Sequence, residues 1–229
     1  MKKLMEIALI GTGKTGGKVA ELLEENLSDT FDEFKPPTVE KLQQSDAVII
    51  FVPGDAVDDI LQTVIDSGIP AAWGSTGYEW PEDLEGRVKA QKAKWVIASN
   101  FSLGMNIIRK NIEIISAGST MLKKPGFHIH EVHHVHKKDA PSGTALSWKE
   151  WLDKEAEVTS SREGDVKGIH ELTMSTAMEK ITLRHEALDR NLFAEGAIWA
   201  AEQLINNESI KPGILAFGQL FDLVMEENK

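Results

Sequence analysis

The sequence predicts an α/β protein: a doubly wound parallel sheet, followed by a second, α+β domain. Three observations predict this fold class. Short apolar segments alternate with helical segments through about residue 100, an order typical of parallel sheets covered by helices on both faces. A glycine-rich turn directly follows the first apolar segment. Beyond residue 100 the predicted strands are longer and no longer alternate with helices in this way.

The elements of the first domain are predicted from the spacing of apolar residues. Glu6–Ile10 is a short apolar strand, and Lys18–Leu27 is a helix whose apolar residues recur on one face. Ala47–Val52 is continuously apolar, as strands covered on both faces are. Asp55–Ser67 has helical spacing and ends at a glycine, and "IPAAWG" and "KWVIASN" are predicted to be further strands.

The second domain is predicted from three longer strands and a long helix. The strands are Phe127–Val135, Gly168–Ser175 and Glu179–Arg184, and the helix is Asn191–Leu204. The polar stretch Glu155–Asp165 is predicted to be a mobile loop. The apolar tail is predicted to form a helix that packs back on the first domain. We therefore expect one domain of residues 1–101 and 207–229 and another of residues 102–206.

Composition argues against several classes of partner and site. With 25 Lys and Arg against 36 Asp and Glu, the net charge is −11, which opposes binding to a nucleic-acid backbone. The absence of cysteine excludes disulfides and thiolate metal sites. The longest apolar run, "AVIIFVP", is too short to span a bilayer. We expect a cytoplasmic protein that binds neither nucleic acid nor membrane.

The segment "IALIGTGKTGGK", residues 7–18, fits two nucleotide-binding patterns. Gly11, Gly13 and Gly16 form G-x-G-x-x-G, the pattern of dinucleotide folds, whereas the letters G-K-T match the end of a P-loop. A P-loop would have to begin at Ala8, inside the apolar strand, where the backbone cannot wrap a phosphate. The dinucleotide pattern places its glycines between a strand and a helix, where a pyrophosphate binds. We therefore predict a Rossmann-like domain for a dinucleotide.

Five of the seven histidines lie in "HIHEVHHVHKKDAPSGTAL", residues 128–146. A metal site is one explanation, because His128 and His130 share a strand face, but Glu131 points to the other face. A second explanation is that the histidines are merely solvated or hydrogen-bonded on a sheet, and this is favoured for His128, His130 and His136. We predict no metal.

The third explanation is acid–base chemistry on an anionic substrate. His133 and Lys137 bring a proton donor and a permanent cation close together. The letters "DAPSGTAL" then open a helix that Ser142 can cap. The amides of Ser142, Gly143 and Thr144, with the Thr144 hydroxyl, are predicted to be exposed and to bind a carboxylate at the helix N-terminus.

"EVHHVHKKDAPSGTAL" closely resembles the signature of the dihydrodipicolinate reductase (4-hydroxy-tetrahydrodipicolinate reductase) family. The resemblance runs along nearly the whole chain, in order, through "GTGKTGG", "WGSTGY", "ASNFSLGMN", "SSREGDVKGIHEL" and "RHEALDRNLFAEGAIWAA". It implies NADPH- or NADH-dependent reduction of 4-hydroxy-tetrahydrodipicolinate in lysine and diaminopimelate synthesis. It also implies a homotetramer built by the second domain, which binds the substrate. Reduction of another cyclic imine or keto dicarboxylate, and a dinucleotide sensor without catalysis, remain alternatives.

The resemblance also implies roles for individual residues. His133 would be the acid–base residue and Lys137 the proton donor, and His134, Gly143 and Thr144 would hold substrate carboxylates. Ser142, predicted from the helix start, completes the substrate-binding set. The cofactor would be bound by Gly11, Thr12, Gly13, Lys14, Thr15, Gly16, Gly74, Ser75, Thr76, Ala98, Ser99, Asn100 and Phe101.

Cofactor choice is predicted from the stretch "FDEFKPP". A second strand is expected near residues 30–34, and no carboxylate sits cleanly at its end to hold the ribose hydroxyls. Glu33 and Lys35 would share a strand face, so that Lys35 could contact a 2′-phosphate. A solvated Lys35 before Pro36 is the competing explanation. We expect NADPH to be used at least as well as NADH.

Overall fold

A computed structural model describes residues 5–228 of the chain. The outermost bounds of the predicted first domain, residues 1–4 and 229, lie outside this range. Ten strands are present among the described residues: β1 (Ile7–Ile10), β2 (Leu27–Phe31), β3 (Ala47–Ile50), β4 (Ala71–Trp73), β5 (Lys94–Ile97), β6 (Gly126–His133), β7 (Glu157–Arg162), β8 (Ile169–Ser175), β9 (Lys180–Glu186) and β10 (Gly213–Ala216).

Eight α-helices connect or follow these strands in the same part of the chain. They are α1 (Lys14–Leu23), α2 (Val39–Leu42), α3 (Val57–Ser67), α4 (Leu84–Ala90), α5 (Leu103–Ser119), α6 (Gly143–Leu152), α7 (Asn191–Asn206) and α8 (Phe217–Glu227). None of the helices between residues 5 and 228 is long and apolar enough to cross a bilayer.

The first compact unit ends at Ser102 and resumes at Arg190. Its six strands form a parallel sheet in the order β10-β5-β4-β3-β1-β2. The side chains of β1 and β3 are almost completely buried, because helices cover both faces and leave no polar face for solvent. The predicted doubly wound sheet is confirmed.

Several predicted bounds in this unit are wrong. The first helix begins at Lys14 and ends at Leu23, because the left-handed backbone of Glu24 stops it (φ +48°). The second strand therefore runs from Leu27 to Phe31 and not over residues 30–34. The predicted end of α3 is confirmed: Gly68 adopts φ +67° and its amide caps the Ile65 carbonyl.

Helix α7 belongs to the first unit and not, as the sequence predicts, to the second. It packs on α1 and on the parallel sheet. The fit depends on a small residue, because a Cβ atom on Gly196 would lie 1.7 Å from the Phe101 carbonyl oxygen. The tail also differs from prediction, since β10 adds a sixth strand beside β5 before α8 begins.

The second compact unit spans Leu103–Asp189. Its four-stranded sheet has the order β7-β6-β8-β9, in which β7 pairs in parallel with β6 and the other pairs are antiparallel. Helices α5 and α6 cover one face, and Trp148 and Ile112 lie in the core between helices and sheet. The predicted loop at Glu155–Asp165 is wrong for Glu157–Arg162, which forms β7.

Candidate active site and cofactor site

The first unit has a cavity at the point where its strand order reverses. Strand β1 lies between β2 and β3, and in open α/β sheets ligands bind outside the carboxyl ends of the strands at such a point. A cavity of about 670 Å³ lies here, and we call it the switch-point cavity. Its lining includes Gly11 and Gly13 after β1, Asp32 and Glu33 after β2, and residues 51–53 after β3.

The glycine turn has the shape that a pyrophosphate needs. Gly11 adopts φ +90°, and a Cβ atom there would lie 2.2 Å from the Phe51 carbonyl oxygen. A Cβ atom on Gly16 would lie 1.8 Å from the Gly11 carbonyl oxygen. Glycine at both positions therefore lets α1 start close against β1. Helix α1 begins after Gly13 without a side-chain cap, so no side chain competes with an anion for its first amides.

The other predicted cofactor residues follow neighbouring strands of the same sheet. Thr12, Lys14 and Thr15 belong to the turn and the first turn of α1, Gly74–Thr76 follow β4, and Ala98–Phe101 follow β5. Parallel strands bring all these loops to one edge of the sheet.

Phe101 differs from the other members of this predicted set. Its side chain is 1% exposed and packs edge-on against Phe217, with ring centroids 4.9 Å apart. The ring is therefore part of the hydrophobic core of the first unit, which favours a structural role for this side chain; its contact with the cofactor stays a prediction.

Lys35 does not have the geometry that the sequence predicts. It lies beyond β2 in a turn, where the Asp32 carboxylate accepts hydrogen bonds from the Phe34 and Lys35 amides, both at 2.9 Å. The Lys35 ammonium pairs with Asp29, which lowers the pKa of the Asp29 carboxyl. The switch-point cavity is lined by Asp32 and Glu33 and not by Lys35. The predicted strand face shared by Glu33 and Lys35 is therefore wrong.

The second unit holds a group of polar side chains, all buried except the partly exposed Arg162, that we call the buried cluster. Its members are Glu131, His133, Ser142, Arg162 and His170. Glu131 and His133 are two residues apart on β6 and share the face toward the helices. Pairing of β6 with β7 brings Arg162 to these two residues, and pairing with β8 brings His170.

Charge in the buried cluster is balanced around Glu131. Burial raises the pKa of this carboxyl, but the nearby Ser142 and Ser160 hydroxyls, the Ser142 amide and the His133 charge together leave the pKa below its usual value. Burial lowers the pKa of His133, and the nearby Glu131 carboxylate opposes that shift. The nitrogen and oxygen atoms of Glu131, His133 and His170 lie within 4.8 Å of one another. The metal site that was weighed from the sequence is a different pair, His128 and His130.

That pair, His128 and His130, lies on the opposite face of the sheet. His128 Nε2 and His130 Nδ1 each lie 2.8 Å from the Thr159 hydroxyl oxygen. The shared hydroxyl satisfies both imidazoles, which supports the structural explanation for these two residues.

Acid is expected to destabilise the fold through His170. Burial lowers the pKa of His170 to about 4, whereas an unfolded histidine titrates near 6.5. Between these two pH values the unfolded state binds a proton at this histidine and the folded state does not. The free energy of unfolding therefore decreases by about 3 kcal/mol as the pH falls from about 6.5 to about 4. Chemical denaturation at several pH values measures this.

The matched variants for that measurement are His170→Gln and His136→Gln. His136 is exposed, so its replacement should leave the pH dependence of the unfolding free energy unchanged. His170→Gln should make the curve flatter between pH 4 and 6.5. An equally steep curve in His170→Gln would contradict the assignment.

Lys137 lies in the loop that follows β6 and is held there by two contacts. Its ammonium lies 2.9 Å from Asp139 Oδ1, and this hydrogen bond lowers the pKa of the Asp139 carboxyl. The Arg162 guanidinium donates to the carbonyls of Lys137 and Asp139. The same guanidinium contacts Glu131 Oε1 at 3.3 Å. Arg162 therefore ties the loop that carries Lys137 to the buried cluster beneath it.

The start of α6 confirms one prediction and corrects another. Ser142 caps the helix, because its hydroxyl accepts the Ala145 amide at 3.2 Å. Its own amide is not exposed: Ser142 is 2% exposed and donates to Glu131 Oε1 at 3.1 Å. Gly143 and Thr144 are more exposed, so the predicted carboxylate site narrows to these two residues. His134, at the end of β6, is half-buried.

Sequence reasoning missed three members of the buried cluster: Glu131, Arg162 and His170. The letters "IHEVH" carried a signal for Glu131, because the two-residue period of a strand places this carboxylate on the same face as Ile129 and His133. Arg162 and His170 lie in "SSREGDVKGIHEL", which was recognised as a motif but given no role.

Comparison with known proteins places this geometry in a family. The sequence model described as "Dihydrodipicolinate reductase, C-terminus" matches residues 104–220. A 4-hydroxy-tetrahydrodipicolinate reductase of Bdellovibrio bacteriovorus is 32% identical over 240 residues, covering 100% of both chains. The chain belongs to the dihydrodipicolinate reductase family. This confirms the family and the oxidoreductase class that the sequence predicts.

Two further matches agree with this membership. The 4-hydroxy-tetrahydrodipicolinate reductase of Methanococcoides burtonii is 33% identical over 229 residues, covering 90% of this chain and 84% of that one. A solved dipicolinate-bound dihydrodipicolinate reductase from Paenisporosarcina sp. TG-14 has a TM-score of 0.76 at 17% identity. It covers 96% of this chain and 99% of its own, and it confirms the fold that the family shares.

Proposed function

We propose that the protein reduces 4-hydroxy-tetrahydrodipicolinate to tetrahydrodipicolinate, with loss of water, using NADH or NADPH. The proposal rests on one combined observation. The chain matches family members over its full length, and its second unit contains His133, Lys137 and the N-terminus of α6. Those three features match an anionic substrate that must gain a proton.

The first unit fits the dinucleotide. Gly11 and Gly16 allow the close backbone packing that forms the turn, and the uncapped start of α1 offers amides to the charge of a pyrophosphate. When bound, the reduced nicotinamide supplies a hydride. The residues from Gly11 to Gly16 would hold the pyrophosphate, and the loops after β4 and β5 are the further candidates for cofactor contacts.

The second unit would hold the dicarboxylate and supply the proton. The amides of Gly143 and Thr144 at the start of α6, together with His134, would bind substrate carboxylates. Lys137 Nζ would deliver the proton to the carbon next to the reduced centre, and His133 Nε2 would relay protons to it. Both the positive charge of Lys137 and its proton are useful in the reduction of an anionic substrate.

The deciding experiment adds freshly generated 4-hydroxy-tetrahydrodipicolinate to the purified protein and follows the absorbance of the reduced nicotinamide. We expect consumption of the cofactor only when both cofactor and this substrate are present. Consumption with a different cyclic imine or a keto dicarboxylate alone would identify another reductase. Cofactor binding without turnover on any of them would indicate a sensor.

We also propose that the protein is a homotetramer assembled through the four-stranded sheet of the second unit. Helices α5 and α6 pack on the face that carries Ile129 and Leu172, which leaves the face of His128, His130 and Thr159 without a helix of this unit. A second copy of the sheet is the partner that this proposal places there. Light scattering should give four times the chain mass of 25.3 kDa, and a monomer mass would refute the assembly.

A further inference from the structure

Glu131 is a fully buried carboxylate with one oxygen satisfied and one unpaired. Its side chain is 0% exposed. Oε1 accepts from the Ser142 amide at 3.1 Å and contacts the Arg162 guanidinium at 3.3 Å. Oε2 is buried and has no hydrogen-bond partner among the described residues. A buried charge with an unpaired oxygen is costly, so its second oxygen calls for an explanation.

The group that faces Oε2 is the His133 imidazole. His133 Nδ1 lies 3.4 Å from Oε2 and likewise lacks a hydrogen-bond partner among residues 5–228. This separation is slightly too long for a good hydrogen bond. Catalytic hydrogen bonds are commonly long in ligand-free proteins and shorten when substrate binds.

We propose that Glu131 is the positioning residue of His133: its Oε2 accepts the Nδ1 proton and so presents Nε2 to the substrate. This rests on the proposed function, in which His133 moves a proton. A carboxylate on the far nitrogen fixes both the tautomer and the orientation of an imidazole. Glu131 acts through His133 and has no contact with substrate in this role.

The opposite edge of the ring is kept open by a glycine. The His133 side chain retains 9% exposure although its Nδ1 is fully buried, so the exposed part lies away from Glu131. A Cβ atom on Gly168 would lie 3.2 Å from His133 Nε2 and 3.4 Å from its Cδ2. Even a methyl group at residue 168 would therefore crowd the nitrogen that the proposal presents to substrate.

His170 does not take the place of His133 beside Glu131. Its Nε2 lies 3.7 Å from Glu131 Oε2 but 3.2 Å from the Ser142 hydroxyl oxygen, which is the nearer partner. Its low pKa of about 4 keeps it neutral near pH 7. The His133 and His170 rings stand edge to face, with centroids 5.1 Å apart, so His170 also restricts rotation of His133.

The charged groups around His133 determine the direction of the pH effect. Burial lowers its pKa, the Glu131 carboxylate raises it, Lys137 and Arg162 lower it, and Asp139 raises it again. The proposed reaction consumes a proton, so turnover falls as pH rises through the pKa of protonated His133. Removing the Glu131 charge removes the strongest raising influence, and this fall then moves to lower pH.

The test is Glu131→Gln in the full-length protein, which keeps the size of the side chain and removes its charge. We expect kcat to fall about 10-fold or more, part of the 10²–10⁴-fold typical of acid–base catalysis. The high-pH limb of the kcat profile should move to lower pH. In a His133→Asn background, Glu131→Gln should cause no further loss of kcat, because the two residues act as one unit.

A control separates this role from simple destabilisation. Ile129→Val removes one methyl group from the same strand and the same core, which costs about 0.5–1.5 kcal/mol. It should lower the melting temperature while leaving the pH profile unchanged. Wild-type kcat and pH profile in folded Glu131→Gln would overturn the proposal, as would full additivity with His133→Asn. Loss of wild-type activity on chelation would also overturn it, by showing a metal ion between these groups.

A second measurement does not depend on activity. In protein labelled with ¹⁵N-histidine, the His133 signals are those that disappear in His133→Asn. Near neutral pH we expect the proton of His133 on Nδ1 in the wild type and a shift toward Nε2 in Glu131→Gln. An Nε2 proton in the wild type would refute the positioning role. If the wild type shows the expected tautomer but does not reduce the proposed substrate, the proposed function is wrong, whereas the positioning of His133 by Glu131 is supported.

Discussion

Lys137→Ala is expected to lower turnover by about 10²–10⁴-fold while the affinity for the reduced dinucleotide stays unchanged, and His133→Ala should behave in the same way. Both side chains lie in the second unit, whereas the lining of the switch-point cavity comes from residues 10–60 of the first. Single-turnover kinetics and equilibrium titration of the cofactor measure the two quantities separately. Near-normal turnover in both variants would show that the acid–base assignment is wrong.

Lys137→Arg distinguishes the charge of the side chain from its proton. A guanidinium keeps the positive charge but does not release a proton in proteins. If Lys137 is the proton donor, the arginine variant should bind substrate far better than Lys137→Ala and yet remain slow. Recovery of turnover in Lys137→Arg would mean that the lysine serves only to offset substrate charge.

Lys138→Ala is the matched control for this series. Lys138 is the next residue of the same loop and is exposed. Its replacement by alanine removes the same charge as Lys137→Ala does. Its turnover should stay within a factor of about two of the wild type, because exposed charges are screened by solvent and salt. A loss comparable to that of Lys137→Ala would indicate a general electrostatic effect of the loop.

Features that depend on local chemistry were predictable from the sequence. The glycine turn was predicted because a strand, two sterically required glycines and a helix start are adjacent in the chain. The Ser142 cap followed in the same way from the letters that open α6. The two-residue period of a strand was enough to predict that Glu131 lies on the face opposite to His128 and His130.

Features that depend on pairing between distant segments were not predictable in this way. Strand β7, "EVTSSR", is largely polar and is held as a strand by its ladder to β6, so it resembles a loop in isolation. Arg162 and His170 reach Glu131 through that ladder and the one between β6 and β8. The turn after β2 is closed by hydrogen bonds of the Asp32 backbone and carboxylate to Lys35, whose ammonium pairs with Asp29.

That turn leads to a cofactor preference opposite to the one predicted from the sequence. Asp32, Glu33, Asp55 and Asp59 line the switch-point cavity, and among residues 5–228 no lysine or arginine contributes to its lining. A carboxylate can accept both hydroxyls of an adenosine ribose, whereas a 2′-phosphate would meet four negative charges without a cation. We therefore expect NADH to bind about tenfold or more tightly than NADPH, since about 1.4 kcal/mol of repulsion is enough for that ratio.

Three variants test the preference by titration of both cofactors. Glu33→Arg places a cation in the cavity and should shift the ratio of affinities toward NADPH. Glu25→Arg makes the same change of charge on an exposed residue outside the cavity lining and should leave the ratio unchanged. Lys35→Ala should also leave it unchanged, because Lys35 pairs with Asp29 and does not line the cavity. Equal affinities in the wild type, or an equal shift in Glu33→Arg and Glu25→Arg, would show that these carboxylates do not select the cofactor.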